Sequence, residues 1–233
     1  MPSQTEQHPI QSLQQQIDQL CQKHARAKGS VTLMAVSKTR SIEEVRLAAS
    51  FGQRDFGENY VQEGVDKVVA LADLGLTWHF IGPIQKNKTR VIAEHFDWVH
   101  SIEREIIANR LSTQRPTDLA PLNICIQINI DNEETKSGVA VDDVSALAQH
   151  ISTLPGLRLR GLMAIPSPGT DFQQQCASFS RMKDLQQQLL SAGISLDTLS
   201  MGMSNDFEAA IASGSSIVRI GTAIFGRREV IKK

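Results

Sequence analysis

Three cysteines, Cys21, Cys125 and Cys176, are too few, odd in number and too widely separated for a disulfide framework. None belongs to a CxxC pair, so a zinc knuckle is not indicated, and all three are expected as buried thiols. The six histidines show no HxH or HxxxH spacing, and no metal site is expected. An excess of either charge is also missing. With 24 Lys+Arg against 25 Asp+Glu the net charge is -1, which removes the basic footprint of a nucleic-acid binder. An anionic small molecule remains open, because it needs only a local positive site. No apolar stretch reaches the ~18 residues of a membrane span. The polar, Gln-rich start from Met1 to Leu20 lacks the basic and apolar regions of a secretory leader. A soluble cytoplasmic protein with no membrane partner is the expectation.

The 233 residues, 41% of them hydrophobic, suffice for one large domain. Ile10, Leu13, Ile17, Leu20 and Cys21 recur at helical spacing and predict an amphipathic helix ending near Gly29. After it, short β-rich runs recur at Thr32–Ser37, Asp55–Gly57, Trp78–Ile81, Trp98–Ser101, Leu122–Ile128, Leu157–Ala164, Thr198–Met201 and Ile217–Ile220. Helix-period segments separate them: Ser41–Ser50, Val61–Leu74, Asn87–His95, Arg104–Thr113, Val141–Leu154, Phe172–Ser191 and Asn205–Ser213. Ser41 with Glu44, and Asn205 with Glu208, fit the capping-box pattern.

Strict alternation implies a parallel sheet, since parallel neighbours need a crossover. Eight such units predict a single (β/α)8 TIM-type barrel over 31–233, with residues 1–30 as an N-terminal helix packed on it. A doubly wound open sheet is the competitor, but no GxGxxG follows the first strand.

In such barrels the active groups lie at the C-terminal ends of the strands. Lys38 follows the apolar run Leu33–Val36, and a lysine against an apolar wall carries more free amine, the form that attacks carbonyls. By position alone, a rim lysine satisfied by carbonyls or a carboxylate is the commoner outcome. Ser204-Asn205-Asp206 and Gly221-Thr222 each precede a helical segment, where hydroxyls and backbone N–H groups can bind phosphate. Each loop alone suits ordinary capping. Together with Lys38 they point to a phosphorylated aldehyde. Arg219 interrupts the apolar run of the last strand, and alternation turns it away from Val218 and Ile220, into the barrel. Asn59, His79 and Met163 are candidates to line the pocket, although a lone strand histidine is more often a satisfied core residue. The Lys86–Arg90 run is expected as a solvated helix start.

Six motifs then occur in order: AVSKT at Ala35–Thr39, FGENY at Phe56–Tyr60, WHFIG at Trp78–Gly82, GLMAI at Gly161–Ile165, LSMGMS at Leu199–Ser204 and RIGT at Arg219–Thr222. They resemble those of the pyridoxal-phosphate homeostasis proteins. That resemblance implies a fold-type III barrel like the N-terminal domain of alanine racemases. It also implies pyridoxal 5′-phosphate held as a Schiff base on Lys38. Ser204, Gly221 and Thr222 match phosphate-binding positions, Arg219 the residue facing the pyridine nitrogen, and Asn59, His79 and Met163 pocket-lining positions.

The resemblance leaves two functions to weigh, a cofactor carrier and an amino-acid racemase or decarboxylase. Racemisation needs an acid/base group on each cofactor face. The resembling racemases take one from a further C-terminal domain, which is not expected here, and Tyr60 is the sole tyrosine. Arg219 cannot accept a hydrogen bond from a protonated ring nitrogen, so it would keep that nitrogen neutral and weaken the ring as an electron sink. Racemases tolerate this arrangement, and the second base weighs more. The expectation is therefore a non-catalytic, monomeric binder serving vitamin B6 homeostasis, with apo-enzymes that depend on pyridoxal phosphate as recipients.

Overall fold

The computed structural model describes residues 8–133 and 136–227. The outer bounds expected for the N-terminal segment and the barrel, residues 1–7 and 228–233, lie outside the described residues. Eight parallel strands close on themselves in sequence order: β1 (Thr32–Val36), β2 (Asp55–Glu58), β3 (Thr77–Phe80), β4 (Trp98–Ile102), β5 (Leu122–Ile128), β6 (Leu157–Ala164), β7 (Thr198–Ser200) and β8 (Ile217–Ile220). Ala35 of β1 lies opposite both Phe56 of β2 and Ile220 of β8, which is the closure. The expected barrel is thus observed. Helices α1 (Pro9–Lys23), α2 (Ile42–Ser50), α3 (Val61–Ala70), α4 (Thr89–His95), α5 (Glu105–Gln114), α6 (Val144–Ser152), α7 (Phe172–Ser191), α8 (Phe207–Ala212) and α9 (Thr222–Phe225), with short 3-10 turns at Ala72–Leu74, Lys86–Lys88 and Val141–Asp143, complete the described elements. Among the described residues no helix is long and apolar enough to cross a membrane.

The alternation of each strand sorts its side chains between two environments. Leu33, Ala35, Phe56, Phe80, Leu162, Val218 and Ile220 belong to the main apolar cluster, shared with the helices. Met34, Cys125, Met163 and Arg219 are buried but lie outside that cluster, on the inner face of the barrel. The inside is close-packed. A Cβ on Gly57 would lie 2.7 Å from the Met34 sulfur, so a larger residue at this inward position would have to displace the Met34 side chain.

Three local expectations are corrected. Helix α1 stops at Lys23 rather than near Gly29, because the chain turns left-handed at Ala25 (φ 54°) and the Arg26 guanidinium is drawn onto the carbonyls of Ile211 and Ser215. The Ser41–Glu44 capping box is present, but the one expected at Asn205 and Glu208 is not. Asp206 stands at that N-cap and accepts from the Met203 N–H at 2.6 Å, while Glu208 is drawn 2.7 Å from Lys23 on α1. Cys176 is half-buried, unlike Cys21 and Cys125, because it lies on the partly exposed face of α7. The Lys86–Arg90 run is solvated as expected, except that Thr89 is buried and donates to Gln114 at 2.7 Å.

Burial pushes the Cys125 thiol well above its ordinary range, and thiolate is the reactive form. A maleimide or aromatic disulfide reagent added to the native protein is expected to label Cys176 first. Cys125 and Cys21 should react only at the rate of unfolding, which peptide mass analysis over time would show.

Candidate functional site

Lys38 lies two residues beyond the end of β1, half-buried. The turn that carries it is fixed from below by charge. Lys67 of α3, itself buried, donates to the Ser37 carbonyl, to Glu58 Oε1 at the end of β2 and to Glu63 Oε1, each at 2.7 Å. The Ser37 hydroxyl donates to the same Glu58 oxygen at 2.6 Å. Thr39 adopts a left-handed conformation (φ 63°), and its N–H donates to Glu63 at 2.5 Å. Burial raises the Glu58 pKa, and the Lys67 ammonium opposes that rise.

The neighbouring strand ends meet this turn from both sides. Gly221, directly after β8, is so close to β1 that a Cβ there would lie 3.2 Å from the Val36 carbonyl oxygen. One strand further round, the Arg219 N–H donates to the Gly202 carbonyl at 2.9 Å, which places the loop of Met203 and Ser204 next to Gly221. In the other direction Asn59 follows β2. Its carbonyl is so near Gly82 that a Cβ on Gly82 would lie 2.1 Å from it. The side-chain oxygen of Asn59 is buried and has no hydrogen-bond partner. Ser204 is half-buried and Thr222 exposed. Lys38, Asn59, Ser204, Gly221 and Thr222 are therefore gathered at one rim, on the ends of four consecutive strands.

Arg219 lies beneath that rim. Its Nη1 donates to the Ser200 carbonyl at 2.5 Å and to the Ser200 hydroxyl at 3.0 Å, and its Nη2 donates to the Ala164 carbonyl at 2.9 Å. Burial lowers its pKa to about 10, against the opposing charge of Asp206. Met163 lies opposite Ser200 across the β6–β7 pair, so it is brought to the same place. His79 is not brought to the rim. Its ring is buried, with Nδ1 3.0 Å from His100 Nε2 and Nε2 3.0 Å from the carboxylate of Asp55, the first residue of β2 and so at the far end of the barrel.

Sequence reasoning missed Lys67, Glu63, His100 and Ser200. The Glu63–Lys67 spacing is that of a helical ion pair, but nothing in the sequence tells that the pair is aimed inward. His100 shares inward parity with Trp98, a signal that was available from strand alternation.

The model for the alanine racemase N-terminal domain matches residues 10–229. The pyridoxal phosphate homeostasis protein of Vibrio cholerae is 54% identical over 227 residues, covering 96% of each chain. The chain belongs to the pyridoxal phosphate homeostasis protein family. A solved structure of PipY from Synechococcus elongatus with pyridoxal phosphate (PLP) bound matches with a TM-score of 0.78 at 35% identity, over 90% of this chain and 99% of that one. Alanine racemase from Corynebacterium glutamicum shares the fold, with a TM-score of 0.67 at 18% identity over 97% of this chain and 62% of that one.

Removing the ammonium that braces the Lys38 turn leaves a buried carboxylate uncompensated. Lys67→Met is expected to lower the free energy of unfolding in urea by about 3–5 kcal/mol, the cost of breaking a buried pair. The double variant Lys67→Met/Glu58→Gln should recover part of that loss. Losses that merely add would show that the pair is not coupled.

Proposed function

We propose that this chain is a monomeric cytoplasmic carrier of pyridoxal 5′-phosphate, holding it reversibly on the Lys38 amine and yielding it to PLP-dependent apo-enzymes. The convergence of Lys38, Asn59, Ser204, Gly221 and Thr222 on one rim above a buried guanidinium carries this reading. The family name and the PLP-bound relative support it.

The residues present suit the cofactor. When bound, PLP supplies an aldehyde that condenses with a primary amine with loss of water, a pyridine ring and a phosphate. Lys38 is the amine at this rim. The hydroxyls of Ser204 and Thr222 donate to phosphate oxygens, and Gly221 lets the backbone approach them. The orphaned Asn59 oxygen is a buried acceptor that needs a donor, an anomaly in a closed protein. Arg219 presents N–H groups toward the ring nitrogen, and Met163 adds an apolar wall. His79 stands behind this set.

The carrier reading, rather than amino-acid turnover, rests on what Arg219 and Tyr60 can do. A guanidinium only donates, so it holds the ring nitrogen unprotonated and limits carbanion stabilisation. Racemisation needs a second base across the ring from Lys38. The one tyrosine of the chain, Tyr60, is 54% exposed at the start of α3.

The protein incubated with PLP should develop a long-wavelength absorbance band that borohydride fixes on the Lys38 peptide. Lys38→Ala should abolish the band, and a retained band would move the attachment to another amine. The pair Ser204→Ala and Thr222→Val should weaken PLP retention more than it lowers unfolding stability, whereas equal losses would reduce both residues to caps. Exchange of the α-proton of L- or D-amino acids in D₂O at even ~1 s⁻¹, within the ordinary enzyme range, would overturn the carrier reading in favour of a racemase or decarboxylase.

A further inference from the structure

The inside of the barrel holds a continuous line of polar groups that ends on Arg219, and the preceding roles leave Asp55, His100 and Ser200 unused. It runs from Asp55 Oδ1 to His79 Nε2 (3.0 Å), from His79 Nδ1 to His100 Nε2 (3.0 Å), from His100 Nδ1 to Ser200 Oγ (2.9 Å), and from Ser200 Oγ to Arg219 Nη1 (3.0 Å). His79, His100, Ser200 and Arg219 are buried, while Asp55 keeps 29% of its side chain exposed. The line therefore starts near solvent at the N-terminal end of β2, crosses the interior from β4 to β7, and ends on the guanidinium beneath the rim.

Its direction follows from its two ends. Arg219 only donates, so the Ser200 oxygen accepts from it and is left with one proton to give, which His100 Nδ1 can accept. At the other end the Asp55 carboxylate only accepts, so His79 Nε2 carries a proton. A neutral His79 then accepts at Nδ1, and His100 must donate from Nε2. Both ends assign the same tautomer to both rings. Burial, with Arg219 and His79 nearby, holds His100 well below the ordinary histidine pKa, in keeping with a neutral ring. The arrangement does not have the shape of a metal centre, for no group of three ligands that could hold an ion occurs among the described residues.

We propose that Asp55, His79, His100 and Ser200 form a one-directional hydrogen-bond relay whose task is to position Arg219. The Asp55 anion polarises two neutral Nε2–H imidazoles in series, and the Ser200 hydroxyl becomes a better acceptor for Nη1. With Ser200 and Ala164 taking three of the five guanidinium N–H groups, the planar fork has one orientation left for the rest. These four are positioning residues and touch no ligand. The assignment rests on the reading above only in the final step, where Arg219 faces the ring of PLP. Other charged or titratable groups lie against the line: Cys125 of β5 and Asp206 before α8 act on Arg219, and the Arg160 guanidinium sits 4.7 Å over the ring of Trp98, which stacks on His79.

Nitrogen NMR of the ligand-free protein tests the relay without any cofactor. Wild type should show His79 and His100 as neutral Nε2–H tautomers at neutral pH. An Nδ1–H tautomer or an imidazolium at either ring would overturn the proposal. Asp55→Asn keeps the size of the side chain but removes the anion, and its amide can donate as well as accept. In that variant the signals of His100 and Arg219 should move together with those of His79. A response confined to His79 would reduce Asp55 to a local contact and sink the relay. With PLP added, Ser200→Ala should weaken retention about tenfold, the weight of a hydrogen bond to a charged group. Ser200→Thr should restore it. Unchanged retention in Ser200→Ala would refute the positioning role. Failure of PLP to bind wild type would instead refute the carrier reading, and the NMR arms would still judge the relay.

Discussion

The rim of this barrel depends on a single buried ammonium. Lys67 reaches inward from α3 and ties the end of β1 to the end of β2 through Ser37 and Glu58, with Glu63 closing the set. Taking a carboxylate and an ammonium out of water costs several kcal/mol per ion, and only good geometry with further hydrogen bonds repays it. Here Glu58 Oε1 accepts from both Lys67 and Ser37, and Lys67 has three acceptors for its three N–H donors. The gain is local shape. Thr39 is a β-branched residue in a left-handed conformation, which costs about 1–2 kcal/mol for an L-residue. Its N–H is held by Glu63, a member of the same cluster. The residue that precedes Thr39 is Lys38, so this cluster fixes the backbone from which that amine projects.

The two faces of the sheet carry different parts of the free energy. Outside, Phe56, Phe80, Leu162, Val218 and Ile220 bury their side chains against the helices and supply the transfer term that holds the barrel closed. Inside, the space is divided between small or flexible residues, such as Gly57 against Met34, and a file of hydrogen-bonded polar groups. A polar interior is tolerable because each member is satisfied by the next. A partly satisfied network would be worse than an apolar one. Among the described residues the buried side-chain atoms without a hydrogen-bond partner are His24 Nε2, Glu58 Oε2 and the Asn59 oxygen, and Asn59 is the one of these placed in the candidate site. It lies at the rim, where a ligand could complete it.

Much of this was legible in the sequence, and for physical reasons. The strand runs Leu122–Ile128, Leu157–Ala164 and Ile217–Ile220 are apolar enough on their outer faces to be placed to the residue. Arg219 was legible for the opposite reason, as a charge inside such a run that had to face inward. Its neighbours across the barrel were not. Which strand ends meet is decided by closure and register, and no local pattern encodes that Ser200 of β7 meets His100 of β4. Asn205 failed as a cap because the capping rule reads one helix at a time. Glu208 was claimed instead by Lys23 on α1, far away in the chain. His79 shows the same limit. Its burial was a reasonable expectation, but its partners Asp55 and His100 come from two different strands.

The two polar clusters sit on opposite sides of β1 and do different work. The Lys67 cluster lies on the outer face and fixes the backbone from which Lys38 projects. The line from Asp55 to Arg219 lies on the inner face and fixes the donor beneath. A carrier has to hold an aldehyde cofactor firmly in place yet leave its electron-withdrawing power unused. Those demands conflict if one charged group must meet both, because a carboxylate at the ring nitrogen would bind the ring and, by stabilising its protonated form, activate it together. On the proposed reading, separate groups meet them. Retention would come from the Lys38 amine and from the rim of Ser204, Gly221 and Thr222 that would face the phosphate. The ring nitrogen meets only a guanidinium that burial leaves with a pKa of about 10, still protonated at neutral pH and unable to accept a proton. On that reading the grip of the site is kept, and what would separate it from a racemase is the second base across the ring from Lys38 more than the guanidinium.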